Sequence, residues 1–294
     1  MATLNRLLAA TDLSDPARHA VDRAALIAKE TGASLDLVHV ASLAPLEELR
    51  RFAANIPAEL EQRILDAARE ELRELAAALL QHHSVSAGVR VVSGPLRAQL
   101  AAQADETSAD LIVLGAHGAS FMRHLLLGST AERMISRASR SMLVVKQTAH
   151  ERYRNVLVPV DFSPSSVPAL RHARAVAPSA EIVLLHAFEV PFEGKLRFAG
   201  VDDDTVHHYR LAAKQDALQK LRALCDEAEL PRHAARLMVL HGDPSRRIIE
   251  QEQEQDCDLI AIGKHGESML EDLLLGSVTR RVLSESQCDV LVSV

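Results

Sequence analysis

The chain repeats itself once, and the length of the repeat limits what it can fold into. Residues 114–130 read LGAHGASFMRHLLLGST, and residues 262–278 read IGKHGESMLEDLLLGSV. Gly115, Gly118 and Gly128 recur as Gly263, Gly266 and Gly276, each 148 residues further on, with no insertion between them. The same shift relates ADLIVLG (109–115) to CDLIAIG (257–263). Within one or two residues it also relates LLAATDLSDP (7–16) to VLVPVDFSPS (156–165), and LVHV (37–40) to LLHA (184–187). A period of this size is far too long for a solenoid, so each copy is expected to be a domain with its own core. The expected division is 1–146 and 154–294, joined by the linker QTAHERY at 147–153.

Within each half, short apolar runs alternate with helical periodicity. Residues 7–11 form an apolar run followed by Ser14, Asp15 and Pro16, a hydroxyl, an acid and a proline suited to a helix start. Ala17, Val21, Ala24 and Ala28 then recur at helical spacing up to Gly32. SLDLVHV predicts a second strand. A long helix after Pro57 carries Leu60, Ile64, Ala68, Leu72, Leu75 and Leu79 on one stripe. GVRVVSG, DLIVLG and SMLVVK complete five strands, with helices from Pro95 and from Gly128, and the second half repeats the order up to CDVLVSV. Such alternation predicts two Rossmann-like α/β domains, each a parallel sheet covered by helices on both faces. With strand order 3-2-1-4-5, the ends of strands 1 and 4 flank the reversal where ligands bind.

Composition narrows the partners. Of 294 residues, 48% are hydrophobic and 25% charged, as in ordinary globular domains, and the formal net charge of −7 argues against nucleic acid or an anionic membrane as the main partner. Three cysteines, Cys225, Cys257 and Cys288, all in the second half, argue against a disulfide scaffold and for a reducing compartment. Thr11 and Asp12 interrupt the early apolar run, so neither a signal peptide nor a membrane span is expected, and the expected location is cytoplasmic.

Glycine is placed where the backbone needs positive φ or where another group must approach without a Cβ between. Gly115 and Gly118, then nine residues, then Gly128 and Ser129 therefore suggest a loop shaped around a ligand. Gly128, Ser129 and Thr130 open a helix, where free N–H groups and the dipole favour an anion. Asp12, an acceptor when ionised, suits ribose hydroxyls or an amino group better than phosphate. His39 and His186, each one residue before the end of a second strand, are expected as core or turn residues.

This glycine pattern, occurring twice, with the ATDLSDPA and PVDFSPSS turns and the LVHV and LLHA strands, resembles the universal stress protein family in its tandem two-domain form. The likeness spans nearly the whole chain. It implies a five-stranded sheet of order 3-2-1-4-5 in each half and an ATP-type site, with ADP or AMP as alternatives and Mg²⁺ left open as a companion ion. By position, it implies Asp12 and the backbone at Val40 against the adenosine, and Gly115, Gly118, Gly128, Ser129 and Thr130 around ribose and phosphates. In the second half the matching residues are Asp161, Ala187, Gly263, Gly266, Gly276, Ser277 and Val278. It also implies pairing through the last strands, making the two halves a pseudo-dimer, with a further homodimer not legible. Ala119 and Glu267 stand where the family commonly carries a basic residue.

Three function classes compete. A nucleotide-binding stress or signalling module acts through occupancy. An ATP-using enzyme would need more than this chain offers, which has no G-x-x-x-x-G-K-[ST] loop and no pair of carboxylates beside the glycines, so any hydrolysis is expected to be slow. An assembly module with vacant sites would have no need for two intact glycine motifs. The first class is the expectation. Between the second and third glycines the first half carries Arg123 and no acid, while the second carries Glu267, Glu271 and Asp272 and no base, so the first site is expected to hold a polyphosphate more tightly.

Overall fold

A computed structural model of the chain describes residues 3–44, 46, 48, 59–116, 129–190, 202–266 and 275–294, the side chains of 16, 129, 130 and 232 aside. Its contacts divide it into two units, Thr3–Arg152 and Tyr153–Val294. In the first unit, β1 (Arg6–Ala10) is followed by α1 (Asp15–Thr31) and β2 (Ser34–Ala41). Then come α2 (Leu60–His83), β3 (Ala87–Ser93), α3 (Leu96–Glu106), β4 (Leu111–Gly115), α4 (Ser129–Ser136) and β5 (Ser141–Val145). The second unit runs β6 (Asn155–Pro159), α5 (Ser166–Val176), β7 (Glu181–Phe188), α6 (Asp203–Glu227), β8 (Ala235–His241), α7 (Pro244–Glu254), β9 (Leu259–Gly263), α8 (Ser277–Glu285) and β10 (Asp289–Ser293).

The strand order is β3-β2-β1-β4-β5 in the first unit and β8-β7-β6-β9-β10 in the second, the predicted 3-2-1-4-5 in both, and the pairings within each unit are parallel. Leu7, Leu8 and Ala9 are consecutive and all buried, as are Val156, Leu157 and Val158. Successive side chains of a strand point to opposite faces, so unbroken burial means that both faces are covered. That is why these strands read as continuous apolar runs rather than alternating ones.

Helix ends follow the punctuation in part. Gly32 closes α1 in the left-handed region at φ 75°, and its N–H donates to Ala28 O. Ser14 occupies the position before α1 but makes no side-chain cap; its hydroxyl donates to Asp12 Oδ1 instead. The carboxylate two residues back, a charged acceptor, draws the hydroxyl toward itself, and the serine oxygen accepts from no helix N–H. Pro57 lies outside the described residues, and α2 is seen from Leu60 with Ala68, Leu72 and Leu79 buried.

Candidate functional site

In the second unit β6 and β9 lie side by side, Val156 opposite Leu259 and Leu157 opposite Ile260. They flank the reversal of strand order, so the turn after Pro159 and the loop after Gly263 meet above the sheet. A cavity of about 590 Å³ opens there. Its wall includes Asp161, Ala187, Gly263, Gly266, Gly276, Ser277 and Val278, all seven residues singled out in this half of the sequence. Leu185, Ile248, Ile262 and Leu275 supply apolar wall. Ile248 and Pro244, on α7, went unnoticed in the sequence because α7 carries no part of the glycine motif.

Two of the three motif glycines of this half, Gly263 and Gly266, have a steric reason. A Cβ on Gly263 would stand 2.6 Å from Ser165 Cβ, and one on Gly266 would stand 2.6 Å from Asp161 Oδ2. Gly276 approaches Lys264 O, which its own N–H meets at 3.1 Å, and a Cβ there would also come within 3.7 Å of Gly266 N. Of the two uses of glycine, close approach is the one found here; the positive-φ glycines among the described residues are Gly32, Gly94 and Gly242, outside the motif. Gly276 precedes α8 with extended backbone, φ −57° and ψ 146°, and Thr279 Oγ1 donates to Gly263 O at 2.8 Å, fastening the helix start to the end of β9. Exposed Ser277 and half-buried Val278 thus present the first turn of a nine-residue helix to the cavity. Arg280, also exposed, lines the cavity. Arg281 instead pairs with Glu285 at 2.9 Å and Asp243 at 3.6 Å, and Lys264 is 4% exposed.

The turn after the first strand is built alike in both units. Asp161 Oδ1 accepts from Ser163 N at 3.0 Å, and Asp12 Oδ1 accepts from Ser14 N at 3.1 Å. The residue after each aspartate, Phe162 at φ 66° and Leu13 at φ 68°, sits in the left-handed region that bulky side chains avoid. Strain retained in both copies marks a turn whose shape matters, and nothing in a leucine or a phenylalanine announces it. His186 Nδ1 donates to Val160 O at 2.9 Å, and His39 Nδ1 donates to Thr11 O at 3.0 Å. The two histidines brace this turn, as expected of turn residues. A carbonyl can only accept, so the Nδ1 of each carries a proton.

Two buried polar atoms of cavity residues, Ser163 Oγ and His265 Nε2, have no hydrogen-bond partner. Orphans of this kind, in the wall of a cavity that also carries apolar side chains, suit a polar ligand with apolar parts. Among the described residues no group of three or more His, Cys, Asp or Glu side chains is arranged to hold a metal ion, and no helix is long and apolar enough to cross a membrane.

In the first unit, Ala10 lies opposite Leu114, bringing exposed Asp12 and half-buried Gly115 to the corresponding strand ends, and half-buried Val40 stands on β2 opposite Val92. Ser129 and Thr130 begin α4. Gly118 and Gly128 lie outside the described residues, as do Arg123, Glu267, Glu271 and Asp272, on which the expected inequality of the sites rests.

The sequence pattern of the universal stress protein family matches residues 3–146 and again 152–293. A universal stress protein of Methanocaldococcus jannaschii is 32% identical over 143 residues, 48% of this chain and 81% of that protein. Universal stress protein A homolog 1 of Coxiella burnetii is 35% identical over 142 residues, 47% of this chain and 94% of that protein. The crystal structure of a universal stress protein from Archaeoglobus fulgidus superposes with a TM-score of 0.72 over 99% of both chains at 19% identity, which shows a shared fold.

Proposed function

This chain belongs to the universal stress protein family, once in each half, and on that basis we propose that it binds an adenine nucleotide, ATP or its di- or monophosphate, in the crevice of each unit and acts in a stress response through occupancy rather than rapid turnover. The observation that carries this reading is the convergence of seven sequence-selected residues on one cavity of about 590 Å³.

The chemistry of the wall divides the ligand. Leu185, Ile248 and Ile262 offer apolar surface for the base, near Ala187 and Asp161. Ser277 and Val278 offer the N–H groups of a helix start, which have no acceptor within the helix, so that an anion gains from both hydrogen bonds and dipole, while the Gly276 N–H is already given to Lys264 O. Arg280, one turn into the helix, adds a positive charge for the phosphates. Asp12, Val40, Gly115, Gly118, Gly128, Ser129 and Thr130 would serve the same roles in the first unit. Among the described residues Asp161 is the carboxylate on the cavity wall, and a single carboxylate is thin equipment for activating water. Hydrolysis is therefore expected below about 1 s⁻¹, the low end of ordinary enzymes.

Purification followed by denaturation and mass spectrometry of the released small molecules tests the reading. Adenine nucleotide is expected at up to two per chain. Its absence, together with no heat on titration with ATP, would overturn the proposal.

A further inference from the structure

The two turns after the first strands start from the same residues and leave their serine hydroxyls in different places. In the first unit Ser14 Oγ donates to Asp12 Oδ1 at 2.5 Å, and the residue five places after the aspartate is Ala17. In the second unit that place holds Ser166, whose Oγ donates to Asp161 Oδ1 at 3.2 Å. Ser163, the counterpart of Ser14, then has no partner for its hydroxyl although it is only 5% exposed. One serine in place of an alanine releases the hydroxyl of another.

The released hydroxyl is not isolated. His265 Nε2 is also buried without a partner, and both residues line the same cavity. Both adjoin Asp161: Ser163 N–H donates to its Oδ1, and the neighbour of His265, Gly266, passes so close that a Cβ would stand 2.6 Å from its Oδ2. Buried polar groups carry the full cost of lost hydration unless something completes them.

We propose that Ser163 and His265, beside Asp161, read the ribose diol of the nucleotide held by the second unit, with a hydroxyl proton that the first unit commits to Asp12 through Ser14. The inference rests on the nucleotide reading above. An ionised carboxylate only accepts, a serine hydroxyl donates and accepts, and a neutral imidazole nitrogen does one or the other with its tautomer. A vicinal diol offers two donors and several acceptors and satisfies all three. A phosphate offers acceptors alone and is repelled by Asp161, so it belongs at the helix end of the cavity. Both residues stand in the cavity wall with their orphaned atoms out of bulk water.

The test uses the full chain, with the ¹⁵N side-chain resonance of His265 as the reporter of the second site. ATP, 2′-deoxy-ATP and 3′-deoxy-ATP are titrated into the wild type, Ser163→Ala, Ser166→Ala and the double variant. The His265 signal is expected to move with ATP in the wild type. Ser163→Ala should weaken ATP about fivefold, the worth of one hydrogen bond, and should shrink the penalty for a missing ribose hydroxyl. Ser166→Ala should do the same, because the Ser163 hydroxyl can then turn to Asp161 as Ser14 does to Asp12, and the double variant should be no worse than either single one. Unchanged affinity for all three nucleotides in Ser163→Ala and Ser166→Ala overturns the inference while leaving the nucleotide reading intact. No response of the wild type to ATP by any signal overturns the nucleotide reading itself.

Discussion

The two units hold the loop before their last strand by opposite means. In the first, Arg140 donates to Ala109 O at 2.7 Å and to the largely exposed Asp105 at 2.8 Å. In the second, Cys288 stands at the matching position, and the N–H groups of Gln287 and Cys288 both donate to Glu252 Oε1, at 2.7 and 2.6 Å. Glu252 is 3% exposed, and its matching residue is Ala104. At two other places the copies agree. Asp110 accepts the N–H groups of Asn5 and Arg6, and Asp258 accepts those of Arg154 and Asn155. His39 and His186 brace the same turn. Where a backbone group must be met at a fixed place, the duplication has kept the residue. Where any partner will do, it has drifted between an exposed ion pair and a buried carboxylate.

The comparison makes its largest demand at Glu252. Glu252→Ala strands two backbone N–H groups, one of them in buried Cys288, and should cost the second unit about 3 kcal/mol, whereas Asp105→Ala should cost the first unit under about 1 kcal/mol. Urea unfolding followed by hydrogen exchange, which resolves the units, checks both values; equal losses would break the contrast.

A smaller effect is expected at the ligand. If the acids at 267, 271 and 272 face the phosphates, the first site should prefer ATP over AMP about tenfold more strongly than the second does, roughly 1.4 kcal/mol, and the gap should shrink with salt. Calorimetry on Gly118→Val and Gly266→Val, each leaving one site, measures it. Equal preferences would turn the acidic loop away from the ligand.

Smaller again, His39→Phe and His186→Phe should each cost about 1 kcal/mol in their own unit. A loss confined to one unit would mean that the shared brace is not shared in strength.

The smallest effect is a pH dependence of the second unit alone. Burial first, then the charges of Asp258 and Glu252, push the Cys257 thiol up from 9.0 to about 12, and the matching residue is Ala109. The folded thiol stays protonated where the unfolded one ionises. Its stabilising contribution is therefore complete below pH 9 and is lost as pH rises toward 12, by under about 1 kcal/mol near pH 9.5. Cys257→Ala should remove that part of the alkaline decline in the urea midpoint; an unchanged decline would assign it to other groups.

Most of the fold was legible because parallel strands covered on both faces leave long apolar runs, and because Gly32 ends its helix for a purely conformational reason. The site of the second unit was legible for a different reason: a glycine that lets Asp161 or Ser165 approach cannot be exchanged for another residue without a clash. What could not be read was the sharing of hydrogen bonds among nearby groups. The pattern Ser14-Asp15-Pro16 suggests a capping hydroxyl, yet that hydroxyl donates to Asp12 and accepts from no helix N–H. The release of Ser163 by Ser166 depends on rotamers, and the left-handed backbone at Leu13 and Phe162 is imposed by the turn against the preference of the residues that occupy it.

The central claim is that the glycine motifs close around a nucleotide. Titration calorimetry of nucleotide-stripped protein with ATP, comparing the wild type with the double variant Gly118→Val and Gly266→Val, tests it most directly. At Gly266, in the cavity wall, the added side chain meets Asp161 Oδ2, where a Cβ alone would lie at 2.6 Å. The account predicts saturable binding in the wild type and none in the folded double variant. Binding of the same stoichiometry and affinity in both would contradict it.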